Sequence, residues 1–339
     1  MRRLLTGAIA LSLVLLGLGI AGGPGAHGAK AGRNGRIAFR RYLNKAQTRG
    51  ALFTIRPDGT GLRQVTHPRR GNVTDEPHWS PNGRWILYQV EHREISSRLF
   101  KIRPNGSSRK YLSTRCPRFD EAGAGRCGDG YASWFPGGKR IALEREPCGR
   151  TGSNYLIAVY VMRANGTKAR RVTQRSATCA NPHRYSDGAP TVAPSGKRLT
   201  FERFDNKRGK HAIFTVRLDG TGLKRVTPWR IDAAQPDWSP TGPWIAFRTQ
   251  AQSETKGNIA LVHPDGTGLR RITHAHGKRK WLRCSFSPNG KKIAAGRVPG
   301  SGEAGNADVY IMKIDGSDRR NVTKSRPWES APNWGPRPT

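Results

Sequence analysis

Short apolar runs rich in Val, Ile, Leu and aromatic residues recur along this 339-residue chain, each broken by Gly, Pro, Asn or Asp after a few positions. Six times such a run enters an Asx-Gly turn, then a basic pair or near-pair, then a Val/Ile/Leu-Thr or -Ser step. The turns are Asp58-Gly59, Asn105-Gly106, Asn165-Gly166, Asp219-Gly220, Asp265-Gly266 and Asp315-Gly316, separated by 46 to 60 residues. Runs this short predict β-strands, and the Asx-Gly pairs predict two-residue hairpin turns, which demand positive φ. A period of this size belongs to supersecondary repeats such as propeller blades.

One unit reads from Trp79-Ser80-Pro81-Asn82-Gly83 through the strand Trp85 to Tyr88, the strand Leu99 to Arg103, the turn at Asn105-Gly106 and a last strand ending Tyr111-Leu112-Ser113. That is four strands, with tight turns joining the first to the second and the third to the fourth. The order recurs from Trp134, Val192, Trp238 and Phe286, which gives five complete units. The sixth is divided. Pro332-Asn333-Trp334-Gly335-Pro336 begins a unit at the C-terminus, and Asn34 to Phe39 followed by Leu52 to Gly59 supplies its second and third strands. Joining the ends closes the array, so an all-β, six-bladed β-propeller with one blade shared between the termini is expected; closure leaves neither end strand exposed.

The first 31 residues read as an export signal: Arg2 and Arg3, an apolar stretch from Leu4 to Ile20, and the small-x-small run Ala29-Lys30-Ala31. The stretch is short for a membrane span and interrupted by Thr6, Gly7 and Ser12, so cleavage after Ala31 and no remaining span are expected. The propeller then covers 32–339, in a periplasmic, envelope or extracellular setting. Losing Arg2, Arg3 and Lys30 takes the formal net charge from +37 to +34. Such a charge attracts polyanions in a salt-dependent way. An anionic envelope polymer fits an exported protein. Nucleic acid fits poorly, because no recognition motif accompanies the charge.

The segments Trp79-Ser80-Pro81-Asn82-Gly83, Trp238-Ser239-Pro240-Thr241-Gly242 and Phe286-Ser287-Pro288-Asn289-Gly290, each leading to a second Asx-Gly hairpin, resemble the WD-type repeat of the TolB β-propeller family. The resemblance spans residues 34 to 339 and implies the fold; it implies no particular ligand. TolB carries an α/β domain ahead of its propeller, for which this sequence leaves no room, so a TolB role with its lipoprotein and Tol partners is not expected. Related propellers include enzymes. Prolyl-oligopeptidase-like peptidases hold their triad in a separate domain with a Gly-x-Ser-x-Gly elbow, absent from this sequence. Oligogalacturonate lyases use a His-ligated metal, whereas His274-Ala275-His276 is the single close His pair and lies in a basic loop. A non-catalytic module binding a protein or peptide is therefore expected. The alternative is an enzyme acting on an acidic sugar.

The topology assigns places to the charges. Arg63, Arg109, Lys110, Arg170, Arg171, Lys224, Arg225, Arg270, Arg271, Arg319 and Arg320 follow the third-to-fourth turns, predicting a basic face. Two readings stand: these cations prevent edge-to-edge strand pairing, or they bind a polyanion. Asp75, Asp129, Asp187, Asp232 and Glu329 precede the first strands of five blades, and the remaining blade has Lys278-Arg279-Lys280 there. These acids could ring the channel mouth opposite the basic face and hold a cation or a peptide amine. They could equally cap their own loops. No other cofactor is expected. Cys116, Cys127, Cys148 and Cys179 fall in connections of one face and could form two disulfides; of three pairings, Cys116 with Cys127 and Cys148 with Cys179 is favoured. Cys284 reads as a core residue.

Overall fold

The computed structural model describes residues 32–92, 95–113, 128–146, 156–174, 176, 184–253, 256–276, 279–300 and 306–338. Residues 1–31, expected to be a leader, and Cys116, Cys127, Cys148 and Cys179 lie outside the described residues. Apart from one 3-10 turn, Trp229–Ile231, every regular element among the described residues is a strand.

The strands group in antiparallel fours. Blade 1 runs Asn72–Trp79, Ile86–His92, Ile95–Ile102 and Lys110–Tyr111; blade 2 runs Gly128–Trp134, Arg140–Glu146, Ala158–Arg163 and Arg170–Arg171. Blade 3 runs Tyr185–Val192, Arg198–Asp205, Lys210–Arg217 and Lys224–Arg225; blade 4 runs Ala234–Trp238, Ile245–Arg248, Ile259–Val262 and Arg270–Arg271. Blade 5 runs Lys280–Phe286, Lys292–Val298, Asp308–Lys313 and Arg320–Asn321. The sixth set is the shared one: Glu329–Pro336 pairs with Asn34–Tyr42, which pairs with Gly50–Ile55 and then Arg63–Gln64. The first strands of successive sets touch one another around a closed ring, with Glu329–Pro336 between Lys280–Phe286 and Asn72–Trp79.

Each sheet is covered on both faces, which explains the nearly continuous apolar runs. Alternate residues of one strand enter different cores: Ile37 and Phe39 pack with Val309 and Ile311 of blade 5, while Ala38 packs with Ile86 and Tyr88 of blade 1. One such core fills every blade-to-blade interface, six in all among the described residues. Cys284 belongs to the core between blades 4 and 5, where burial pushes its thiol pKa up.

The Asx-Gly turns differ from expectation in detail. In all six the Gly N–H bonds to the carbonyl three residues back, as Gly59 N to Arg56 O at 2.9 Å, and the same Arg56 N–H returns to Thr60 O at 3.0 Å. That is a three-residue loop closed by a bulge. Within each Asx-Gly pair only the glycine has positive φ, from +84° to +93°. The Asx side chain instead accepts the N–H two residues on, as Asp58 Oδ1 does from Thr60 at 2.8 Å. Glycine is required here for a second reason: a Cβ on Gly106 would lie 2.9 Å from Val65 O of the preceding blade, and one on Gly316 would strike Ile272 O. The turn seats each blade on its neighbour.

The hydroxyl after the rim strand has an equally regular task. Thr66, Ser113, Thr173, Thr227, Thr273 and Thr323 accept the N–H of Leu52, Leu99, Val159, Ile213, Ile259 and Val309 at 2.9 to 3.0 Å. The apolar residue just before each hydroxyl enters an inter-blade core.

Candidate functional site

Of the acids expected to ring a channel mouth, Asp75, Asp129, Asp187 and Glu329 lie within first strands, and Asp232 follows the 3-10 turn. All five are buried. Asp129 and Asp187 each receive a bidentate arginine from the second strand of their own blade: Arg145 at 2.6 and 2.9 Å, Arg203 at 2.6 and 2.8 Å. Asp75 pairs with Arg40 across a blade boundary, and Glu329 takes Arg41 Nε at 2.6 Å. Asp232 accepts the backbone N–H groups of His211 and Gln252, both at 2.9 Å. Burial alone would push the Asp232 carboxyl up; the hydrogen bonds from His211 and these amides more than offset it and hold it at about 2. These carboxylates tie first strands to their surroundings, and the fitting arginine lies sixteen residues downstream in blades 2 and 3. The amides that Asp232 accepts belong to other segments of the chain and not to its own loop.

Deeper in the channel the ring is bridged. Arg283 of blade 5 pairs with Glu76 of blade 1, and its guanidinium lies 5.4 Å from the Tyr131 ring of blade 2. Glu76 and Tyr131 occupy the position three residues before the aromatic, and there five of six first strands carry a left-handed residue: Glu76, Tyr131, Ala189, Gln235 and Ala331, with φ from 44° to 54°. The preceding blade supports three of these bulges. Gln89 accepts from Tyr131 N at 2.9 Å, Glu144 from Ala189 N at 3.1 Å and Glu202 from Gln235 N at 2.6 Å. Burial pushes the Glu144 carboxyl up to about 8.

The other end of the channel is open, beside the first-to-second hairpins. There Trp79, Trp134, Val192, Trp238, Phe286 and Trp334, with the prolines that follow them, surround a cavity of about 210 Å³ that Gly32 also lines. The residue before each aromatic or valine is polar in every blade: His78, Ser133, Thr191, Asp237, Ser285 and Asn333. Three of them join neighbouring blades. Asn333 Oδ1 accepts Trp79 N–H at 2.8 Å, Asp237 Oδ2 accepts Phe286 N–H at 2.6 Å, and Ser285 Oγ accepts Trp334 N–H at 3.2 Å. Thr191 and Trp79 are among the lining residues, and Thr191 Oγ1 and Trp79 Nε1 are buried and have no hydrogen-bond partner. Burial pushes the Asp237 carboxyl up to about 7 and the His78 ring down to about 4.

With this geometry, similarity to known proteins can be judged. No protein-family model matches the chain, and no curated protein matches it. Among solved structures, TolB from Acinetobacter baumannii aligns at a TM-score of 0.66 and 20% identity, covering 89% of this chain and 67% of that one. The fold is that of a TolB-like β-propeller. At this identity the likeness speaks for the fold alone. A chain of the nidogen/laminin complex aligns at 0.62 and 10% identity, covering 88% and 98% of the two chains. Oligogalacturonate lyase in complex with manganese aligns at 0.50 and 13%, covering 86% and 74%.

In this TolB-like propeller the eleven basic residues lie on or beside the outermost strands, and all but the half-buried Arg171 are exposed. The charge therefore forms a belt around the rim, next to the third-to-fourth turns. Arg170 and Arg320 are partly engaged, donating to Leu218 O and Pro57 O of the next blade. Leu62, Leu223, Leu269 and Tyr111 are exposed along the same belt. His274 and His276 are exposed ahead of blade 5, and no group of three or more His, Cys, Asp or Glu suited to a metal occurs among the described residues. The sequence pointed to acids at one mouth; the structure puts an open, incompletely bonded cavity at the other.

Proposed function

We propose that this protein is an exported, non-catalytic binding propeller that seats a protein or peptide segment in the axial cavity. The observation that carries this reading is the cavity itself, where six blades converge and buried polar atoms of Thr191 and Trp79 have no partner. Buried polar groups left unpaired cost about 1–3 kcal/mol each, a cost that a bound ligand would remove. A propeller of this fold taken from a protein complex, that of nidogen and laminin, supports a protein or peptide ligand. Export rests on the leader read over residues 1–31, and among the described residues no helix is long and apolar enough to cross a membrane. The basic rim holds the molecule near anionic envelope polymer while the cavity selects the partner.

Selection of displayed peptides against the purified protein tests this reading. Selected peptides should lose binding to a Thr191→Gln variant, whose longer side chain enters the cavity, while a charge-neutralising change on the rim leaves the binding intact. Peptides that bind both Thr191→Gln and wild type equally would place the site elsewhere.

A further inference from the structure

Asp75, Glu76, Asp129, Asp187, Asp205, Asp232 and Glu329 are buried and each faces an Arg, Lys or His. Asp237 and Glu144 have no such ion pair, and of these two Asp237 lines the axial cavity. One carboxylate oxygen takes the Phe286 N–H, and burial with that single hydrogen bond accounts for its perturbation, with no cation contributing. In a chain with 60 Lys and Arg against 23 Asp and Glu, a cavity carboxylate without a counterion is a specific omission. Thr191 and Trp79 also line the cavity; the Thr191 hydroxyl, able to accept a hydrogen bond, and the Trp79 indole N–H, which needs an acceptor, are buried and have no hydrogen-bond partner. The walls are aromatic, and aromatic rings favour cations over neutral groups.

One common group supplies what is missing. A polypeptide N-terminus offers an ammonium to carboxylate and hydroxyl and, within its first two residues, carbonyl oxygens to an N–H donor. We propose that the axial cavity captures the free N-terminus of a partner polypeptide, with its α-ammonium against the Asp237 carboxylate and an early carbonyl oxygen accepting from Trp79 Nε1. The inference rests on the binding reading above and narrows it. Bringing the counterion with the ligand makes ionisation of Asp237 part of binding, so the partner is recognised by a charge pair formed out of bulk water.

The test uses a short alanine- and proline-based peptide amide with a free N-terminus, its N-acetylated twin, and an acetylated version carrying one internal lysine. Binding is read from the Trp79 indole N–H resonance of the full-length mature protein, assigned by its loss in Trp79→Phe. The free-amine peptide should shift that resonance, the acetylated twin should not, and Asp237→Asn should weaken the free-amine peptide about tenfold or more. Asn keeps an acceptor for Phe286 N–H, and the acetylation comparison on wild type stands even if the variant is not recovered. A free-amine peptide that shifts the signal no more than its twin overturns the inference; if display-selected peptides still shift it, the cavity reading survives alone. A shift produced only by the internal-lysine peptide replaces the N-terminal assignment with a side-chain ammonium.

Discussion

Replacing Asp237 by Asn should stabilise the protein at alkaline pH and leave it unchanged in acid. Asp237 has its pKa raised to about 7 by burial, against an unperturbed aspartate near 4 in the unfolded chain. A raised carboxyl pKa means that the folded state keeps a proton the unfolded state has lost. Its contribution is therefore full below about pH 4, declines as pH rises between about 4 and 7, and is constant above. Three units at about 1.4 kcal/mol each set an upper bound of about 4 kcal/mol, and water reaching the carboxyl through the cavity reduces this to about 2–3 kcal/mol. Asparagine cannot ionise and still accepts the Phe286 N–H. Urea unfolding at about pH 4 and about pH 8.5 should show equal midpoints in the first and a higher midpoint for Asp237→Asn in the second. Equal midpoints at both pH values, or a less stable variant at about pH 8.5, would refute the claim that this carboxyl lacks a counterion. A gain in stability joined to a loss of binding is the mark of a side chain kept for function.

Three further outcomes follow from the geometry. Asp129→Ala leaves the buried Arg145 without its bidentate partner and should cost about 3–5 kcal/mol in denaturant unfolding, while Arg63→Ala on the exposed rim should change stability by less than about 0.5 kcal/mol. Gly316→Ala places a Cβ on a left-handed residue against Ile272 O and should lower the unfolding midpoint clearly, whereas Gly137→Ala, which meets nothing within 4 Å, should leave it nearly unchanged. Reversing Arg270 and Arg271 to Glu should lower retention on an anionic polymer column and flatten its salt dependence without altering peptide binding at the cavity.

The repeat was legible because each of its parts has a local physical cause. Glycine after Asx marks a turn in sequence, and Gly59, Gly106, Gly166, Gly266 and Gly316 also lie so close to the neighbouring blade that a Cβ would crowd its backbone. The Asx residue misled slightly: its side chain caps the loop, so its backbone needs no left-handed conformation. Asp129 and Asp187 carry no mark of their partners on their own strand: Arg145 and Arg203 stand on the second strand of the blade. That pairing could have been found, since both lie sixteen residues downstream across one hairpin. The cavity was visible too, once the blades are stacked: a polar residue precedes the aromatic or valine in all six. Trp-Ser-Pro carries the fold signal, whereas His78, Thr191, Asp237 and Asn333 differ in type from blade to blade and form no motif. The Arg283 to Glu76 pair was not legible, because those residues meet only when ring closure brings blades 5 and 1 to the same axis.

The most direct measurement of where this propeller binds is the Trp79 indole N–H resonance during titration with a display-selected peptide. If the axial cavity is the seat, the resonance moves saturably, with the dissociation constant obtained from bulk binding. A peptide that saturates the protein while that resonance stays in place would contradict the assignment of the site.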